Sequence, residues 1–221
     1  MCQALPHAPQ AKNVRLDAST LHRLLISAVS RAGEKLGFIL LTGSSENFVR
    51  DCLAYECFIN DMLVTRDYRI RDSSGYLHIV DLAIGKRDDL DALVELKQLY
   101  LKDFKGKRPL YFGNVTRDIV KRAPLLDVHT DAAAYGVVLL REVDLSDYLD
   151  RGQLLAYAEE DFKRITTGVS RMHAFLKTPP ENIQSCTPST EEGARLGEWV
   201  IGGARVRLYG WVLTPRSSDD A

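Results

Sequence analysis

The sequence lacks the features that would assign it quickly. No membrane span is legible: the strongly apolar run Phe38-Ile39-Leu40-Leu41 is stopped by Thr42-Gly43-Ser44-Ser45, whereas a spanning helix needs about 20 such residues. The opening MCQALPHAPQAKN has no apolar stretch of the roughly 7–15 residues that marks a secretory leader. Cysteine is scarce, and Cys2, Cys52, Cys57 and Cys186 show no CxxC spacing. Reduced thiols and a cytoplasmic setting are therefore expected. The five histidines are scattered, which argues against a zinc site built from Cys and His. Charge of one sign is also lacking: 29 Lys+Arg against 30 Asp+Glu leave a formal net charge of −1. No global field draws in nucleic acid or an anionic membrane, so a nucleic-acid site must be a local patch. P-loop, GxGxxG and GxSxG motifs are absent too, which leaves nucleotide hydrolysis, dinucleotide cofactors and serine esterase chemistry without support.

What is present is a chain of 221 residues, 45% hydrophobic, long enough for a sizeable core. Residues 1–18, rich in Pro, Ala and Gln, read as a loose arm; 19–214 read as a single α/β domain, and 215–221 as a tail. Ser19 or Thr20 is expected to cap a helix to about Lys35, with Leu21, Leu24, Leu25, Ala28 and Val29 at helical spacing. Gly37 to Leu41 is either a short strand or more helix. The break at 42–45 supplies caps for a helix over 46–62. Strands are expected over 63–71, 76–84, 90–100 and 135–143, with helices near 115–122 and 161–177. A hairpin is expected from 198–201 and 204–213 around Gly202-Gly203.

Strand residues two apart share a face. On the third strand Glu95 and Lys97 therefore project together with Leu93 and Leu99, and on the second strand Asp81 shares a face with Leu77, Ile79 and Ala83. A short connection would pair the two strands antiparallel and bring Asp81 near Glu95. On the helix over 46–62, Glu56 falls inside the apolar arc formed by Val49, Leu53, Ile59 and Leu63. A buried carboxylate must be paired, protonated or on a metal, so Glu56 has either a metal role or an arginine partner. Converging carboxylates repel, and a divalent cation relieves the repulsion.

Asp81 in IVDLAI and Glu95-Leu96-Lys97 in ALVELKQLY resemble the motif of the PD-(D/E)xK, or restriction-endonuclease-like, nuclease superfamily. Val80 stands where the proline would be, and Glu56 where many members carry a helix glutamate. The same tripeptide pattern recurs at Asp103-Phe104-Lys105 and Asp161-Phe162-Lys163, so only the apolar-strand context singles out Glu95 and Lys97. The resemblance covers about 46–143. It implies a restriction-endonuclease-like α/β core, a central mixed sheet flanked by helices, here with an N-terminal helical addition and a C-terminal hairpin. It further implies a Mg²⁺- or Mn²⁺-dependent endonuclease acting on nucleic acid, DNA foremost. The implied catalytic set is Asp81, Glu95, Lys97 and Glu56. The metal would sit on Asp81, Glu95 and the Leu96 carbonyl, with Lys97 orienting the attacking water or helping to deprotonate it.

Lys102, Lys105, Lys107 and Arg108 form the expected nucleic-acid-binding cluster, against the plainer reading of a solvated loop. Arg205, Arg207, Tyr209 and Trp211 share one face of the hairpin, suited to bases and phosphates or to an ordinary strand with Glu198 opposite Arg207. The alternative function is a non-catalytic module on the same fold, binding nucleic acid or a partner protein. A homodimer is compatible with either; a membrane partner is not expected.

Overall fold

The computed structural model describes residues 16–86, 89–99, 132–144, 186–188 and 194–215. The basic cluster Lys102, Lys105, Lys107 and Arg108 and the helices expected near 115–122 and 161–177 lie outside the described residues.

Helix α1 spans Ala18–Thr42. Its cap is Asp17, whose Oδ1 accepts from the Thr20 amide at 2.6 Å, rather than Ser19 or Thr20. An aspartate satisfies an orphan amide of the first turn as well as a hydroxyl does. The expected arm thus ends sooner than residue 18: Leu16 is buried, and its carbonyl accepts from Tyr135 Oη at 2.9 Å. Gly33, at φ 58 and ψ −146, leaves the helical conformation and makes a kink between two helical segments, the second of which includes Gly37 to Leu41. Gly37 is required by packing: a Cβ there would lie 2.7 Å from Trp199 Cβ.

Helix α2 spans Glu46–Ile59 and stops short of residue 62. Asp61, at φ 60, turns the chain, and the amides of Asn60 and Met62 both close on the Cys57 carbonyl at 3.1 Å. Strands follow as β1 (Leu63–Arg71), β2 (Leu77–Lys86), β3 (Asp89–Leu99), β4 (Ala133–Asp144), β5 (Cys186–Pro188), β6 (Ala194–Ile201) and β7 (Ala204–Pro215). They form one seven-stranded sheet in the order β1-β2-β3-β4-β7-β5, with β6 paired to β7. The β3/β4 pair is parallel and the rest are antiparallel. The fold is therefore α/β with a mixed sheet.

Both helices pack on one sheet face. Leu21, Leu25, Leu36, Leu40, Val49 and Leu53 meet Leu82, Val94, Leu96, Val137 and Leu208 in the main core. A second cluster, Ile70, Val80, Ala83 and Leu93, is separate from it. Arg141 fastens the end of α1 to β4, its Nη1 donating to the carbonyls of Leu40 and Gly43.

The C-terminal hairpin forms as expected, with Gly202 (φ 56) and Gly203 (φ 85) supplying the positive φ values of its turn. Glu198 stands opposite Arg207, 3.1 Å from its Nε. Arg207 also reaches Glu142 at 3.1 Å, as does Tyr209 Oη at 3.2 Å, while Trp211 is fully buried. These groups serve the sheet, as the ordinary-strand reading has it. Among the described residues, no helix is long and apolar enough to cross a membrane.

Candidate active site at the parting of two strands

Strands β2 and β3 pair from Lys86↔Asp89 to Leu82↔Val94 and then part. Beyond that point β2 pairs with β1 through Leu77, and β3 with β4 through Leu99. Among the described residues, the parting opens a wedge between them. Edge amides of β3 that face a vanished neighbour need acceptors, and two carboxylates supply them. Asp81 Oδ2 accepts from the Leu96 amide at 2.7 Å; Glu46 Oε2 accepts from the Gln98 amide at 2.7 Å. A strand residue sends its N–H and C=O to the same edge, so the Leu96 carbonyl also lies on the wedge side. The register puts Asp81 next in line opposite Glu95, since Leu82 faces Val94.

The simple alternation expected along β2 fails at Asp81. Val80 belongs to the second cluster, whereas Leu82, two residues on, belongs to the main core. The β1/β2 ladder passes from Arg66↔Leu82 to Tyr68↔Val80 without pairing Asp67 and Asp81. Asp67 takes φ 51 there, a conformation uncommon outside glycine but tolerated by aspartate. The chain twists at this point, so Asp81 does not simply continue the face of Ala83. Its carboxylate is delivered to the edge of β3 instead.

Cations and carboxylates alternate around the wedge. Lys97 Nζ lies 3.0 Å from Glu95 Oε1; the Glu95 side chain is 7% exposed and that of Lys97 27%. Burial works against the Lys97 charge, but Glu95 above all, with Glu46 and Asp81, outweighs it and holds the ammonium above the usual lysine value. In this arrangement Lys97 is a hydrogen-bond donor and a positive charge held against Glu95. Arg50, one turn after Glu46 on α2, donates to Asp67 Oδ1 at 2.8 Å and stands 3.8 Å from Asp81 Oδ1.

Glu56 does not join this group. Its carboxylate accepts from Ser27 Oγ at 2.6 Å and Arg31 Nε at 2.9 Å, within the contact of α2 with α1. The Arg31 hydrogen bond leads in holding its carboxyl below the usual range, helped by Ser27 and against the effect of burial. The wheel places Glu56 correctly inside the buried arc, and the arginine partner, not the metal role, accounts for it.

The acid that α2 brings to the wedge is Glu46, with Arg50 beside it. As an acid in the first turn of a helix, Glu46 has an ordinary dipole explanation. Its four-residue spacing from Arg50 is the only sequence sign that the two share a face. Ser45, expected to cap α2, makes no side-chain cap bond. Its amide and hydroxyl both donate to Gln98 Oε1, at 2.8 and 3.0 Å. This latch ties the start of α2 to β3 and fixes Glu46 over the wedge.

The oxygens present suit a hard cation such as Mg²⁺, which takes few carboxylates and keeps waters. They are the carboxylates of Asp81 and Glu95 and the Leu96 carbonyl. Among the described residues, however, no three His, Cys, Asp or Glu side chains are grouped closely enough to hold a metal. Arg50 and Lys97 stand where they balance the carboxylates instead. No family model, curated protein or solved structure matches the chain.

Proposed function

We propose that this chain is a metal-dependent phosphodiesterase of the PD-(D/E)xK type that cleaves nucleic acid, DNA foremost. One observation carries the reading: β2 and β3 part immediately after Leu82↔Val94, and Asp81, Glu95 and Lys97 all lie at that parting. The order α2, β1, β2, β3, then β4 parallel to β3, supports a restriction-endonuclease-like core, in which the same helix and strands carry the motif.

A bound Mg²⁺ would supply Lewis-acid stabilisation of charge on the scissile phosphate and lower the pKa of a coordinated water. Asp81, Glu95 and the Leu96 carbonyl would hold it, with Glu46 available as acceptor from a water. Lys97, charged and fixed by Glu95, would donate to a non-bridging phosphate oxygen or to the attacking water and so orient it. The hydrogen bond from the Leu96 amide to Asp81 fixes one carboxylate oxygen and leaves the other facing Arg50. Arg50 would give up its long 3.8 Å approach to Asp81 for a substrate phosphate, keeping its shorter bond to Asp67.

The second reading, a non-catalytic binding module, is favoured by the mutual balance of the charges, since a site already neutralised by Arg50 and Lys97 needs no metal. Titrating Mn²⁺ into the protein separates the two. Saturable binding lost in Asp81→Asn, together with cleavage of labelled DNA only when Mg²⁺ or Mn²⁺ is present, is expected. No binding at millimolar metal, with or without nucleic acid, would place the binding module ahead.

A further inference from the structure

Within the described strands a positive φ occurs at one residue, Asp67 of β1, at φ 51. Outside glycine, that conformation is adopted mainly by Asn and Asp, whose short polar side chains tolerate it. It interrupts the ladder: Arg66 pairs with Leu82 and Tyr68 with Val80, but Asp67 and Asp81 stand opposite each other unpaired. Like charges directly opposite on neighbouring strands are destabilising. Two facing aspartates, one of them in a strained conformation, persist only where the surroundings impose them, and such places cluster at functional sites.

Arg50 joins the two aspartates, and it divides itself unequally between them. Its Nη1 lies 2.8 Å from Asp67 Oδ1 but 3.8 Å from Asp81 Oδ1. Its Nε stands 3.4 Å from Asp51, which Arg66 also holds at 2.9 Å. The nearer partner is the more exposed one: the Asp67 side chain is 64% exposed and that of Asp81 19%. A carboxylate less open to water is less screened and attracts a cation more strongly, so Arg50 left to itself would close on Asp81. Of the two Asp81 oxygens, Oδ2 is engaged by the Leu96 amide, and Oδ1 is the one that Arg50 approaches.

We propose that Asp67 is a positioning residue for the candidate metal site: from its left-handed conformation it draws Arg50 off Asp81 and so keeps Asp81 Oδ1 open to a divalent cation. The inference rests on the phosphodiesterase reading and adds to it a residue that touches neither metal nor substrate. Without the Asp67 carboxylate, Arg50 Nη1 moves in from 3.8 Å by about 1 Å to hydrogen-bond distance of Asp81 Oδ1, and competes with the metal for that oxygen. At the effective screening of a protein surface, this closer approach strengthens the ion pair enough to weaken metal binding about tenfold. Glycine keeps the left-handed conformation open without a side chain, and asparagine keeps it with an oxygen acceptor but no charge. Backbone, acceptor and charge can therefore be varied separately at this position.

The test is titration of Mn²⁺ alone, with the free ion read by electron paramagnetic resonance, into wild type, Asp67→Gly, Asp67→Asn, Arg50→Gln and Asp67→Gly/Arg50→Gln. Asp67→Gly is expected to weaken binding about tenfold. Asp67→Asn, which still offers Arg50 an oxygen, should lose less. Removing Arg50 as well should cancel the effect, so that Asp67→Gly/Arg50→Gln binds Mn²⁺ as Arg50→Gln does, at least as tightly as wild type. The melting temperature of metal-free Asp67→Gly should stay close to that of wild type, because an ion pair to so exposed a carboxylate contributes little to stability. Wild-type affinity in Asp67→Gly overturns the inference and leaves the phosphodiesterase reading intact. An equal loss in the Arg50→Gln background, or a loss that follows a fall in melting temperature, overturns it too, since Asp67 would then act through its own charge or through the fold. A wild type that binds no Mn²⁺, alone or with DNA, overturns the function and the inference together.

Discussion

Gln98→Met tests whether the latch between α2 and β3 is a stabilising element. Ser45 is fully buried and Gln98 is 4% exposed, so water cannot replace a bond lost there. Gln98 Oε1 accepts both the Ser45 amide at 2.8 Å and the Ser45 hydroxyl at 3.0 Å. Methionine matches the length of glutamine but removes that acceptor and strands two buried donors. An unsatisfied buried donor costs about 1–3 kcal/mol. A partial offset arises because Gln98 Nε2 is itself buried without a hydrogen-bond partner among the described residues, and methionine removes that group as well. The expected net loss is therefore about 2 kcal/mol, or about 4–8 °C in melting temperature for a chain of this size. Ser45→Ala removes only the hydroxyl and should cost about 1 kcal/mol. Urea unfolding of the two single variants and the double variant supplies the coupling energy, since the effects are non-additive where residues share bonds. A Gln98→Met midpoint equal to that of wild type would refute the latch. Additive effects of the two substitutions would do the same.

Further expectations follow from other buried groups. Glu56→Gln should leave cleavage and metal binding intact while lowering stability modestly, because its carboxylate bonds Ser27 and Arg31; abolished cleavage with an unchanged midpoint would return Glu56 to the catalytic set. Its depressed folded-state pKa means that this stabilisation is fully present above the unfolded glutamate value near about 4.3. It is lost as pH falls through the lower folded value. The gap in midpoint between wild type and Glu56→Gln should therefore narrow on acidification below that value, and a gap that widens would contradict the assignment. Burial above all, with the Glu56 charge, pushes the Cys57 thiol up to about 12, so the folded protein should leave Cys57 unalkylated by iodoacetamide until denaturant is added. Peptide mapping by mass spectrometry reads this directly, and fast labelling of native Cys57 would contradict its burial.

Six of the seven described strands were legible because each carries a local signal; β5, Cys186–Pro188, was not expected. Strand β1 forms at 63–71 as expected, and the Gly202-Gly203 turn sets the last hairpin. The neighbourhood of Asp81 and Glu95 was legible for the same reason, since a short connection and a period of 2 leave little choice of register. The twist at Asp81 was not legible: it depends on Asp67 taking a positive φ on the neighbouring strand, which no alternation pattern encodes. Glu46 was hidden by distance along the chain, because its bond to the Gln98 amide spans 52 residues. Its position also had a sufficient local explanation as a first-turn acid. The burial of Glu56 was read correctly from the wheel, but choosing between a metal and an arginine required α1, 25 residues away at Arg31. The cap of α1 moved from Ser19 or Thr20 to Asp17 because several cap-forming residues lie in succession, and packing of Leu16 decides among them.

The most direct measurement of the central claim is single-turnover cleavage of labelled DNA and RNA in Mg²⁺ and in Mn²⁺ by wild type, Glu95→Gln and Lys97→Ala, with unfolding midpoints taken on the same samples. If Lys97 donates to the phosphate or the attacking water, its removal should slow cleavage about 10²–10³-fold. Glu95→Gln should match or exceed that loss and lose metal binding with it. Neither variant should weaken substrate binding as much, since the lost interactions belong to the transition state. If the 3.0 Å pair of Lys97 and Glu95 is only structural, Lys97→Ala leaves a buried carboxylate at a cost of about 3–5 kcal/mol. The account predicts metal-dependent cleavage in wild type that disappears in both variants while the fold persists. Destabilised variants alongside a wild type that cleaves neither DNA nor RNA with either metal would contradict it.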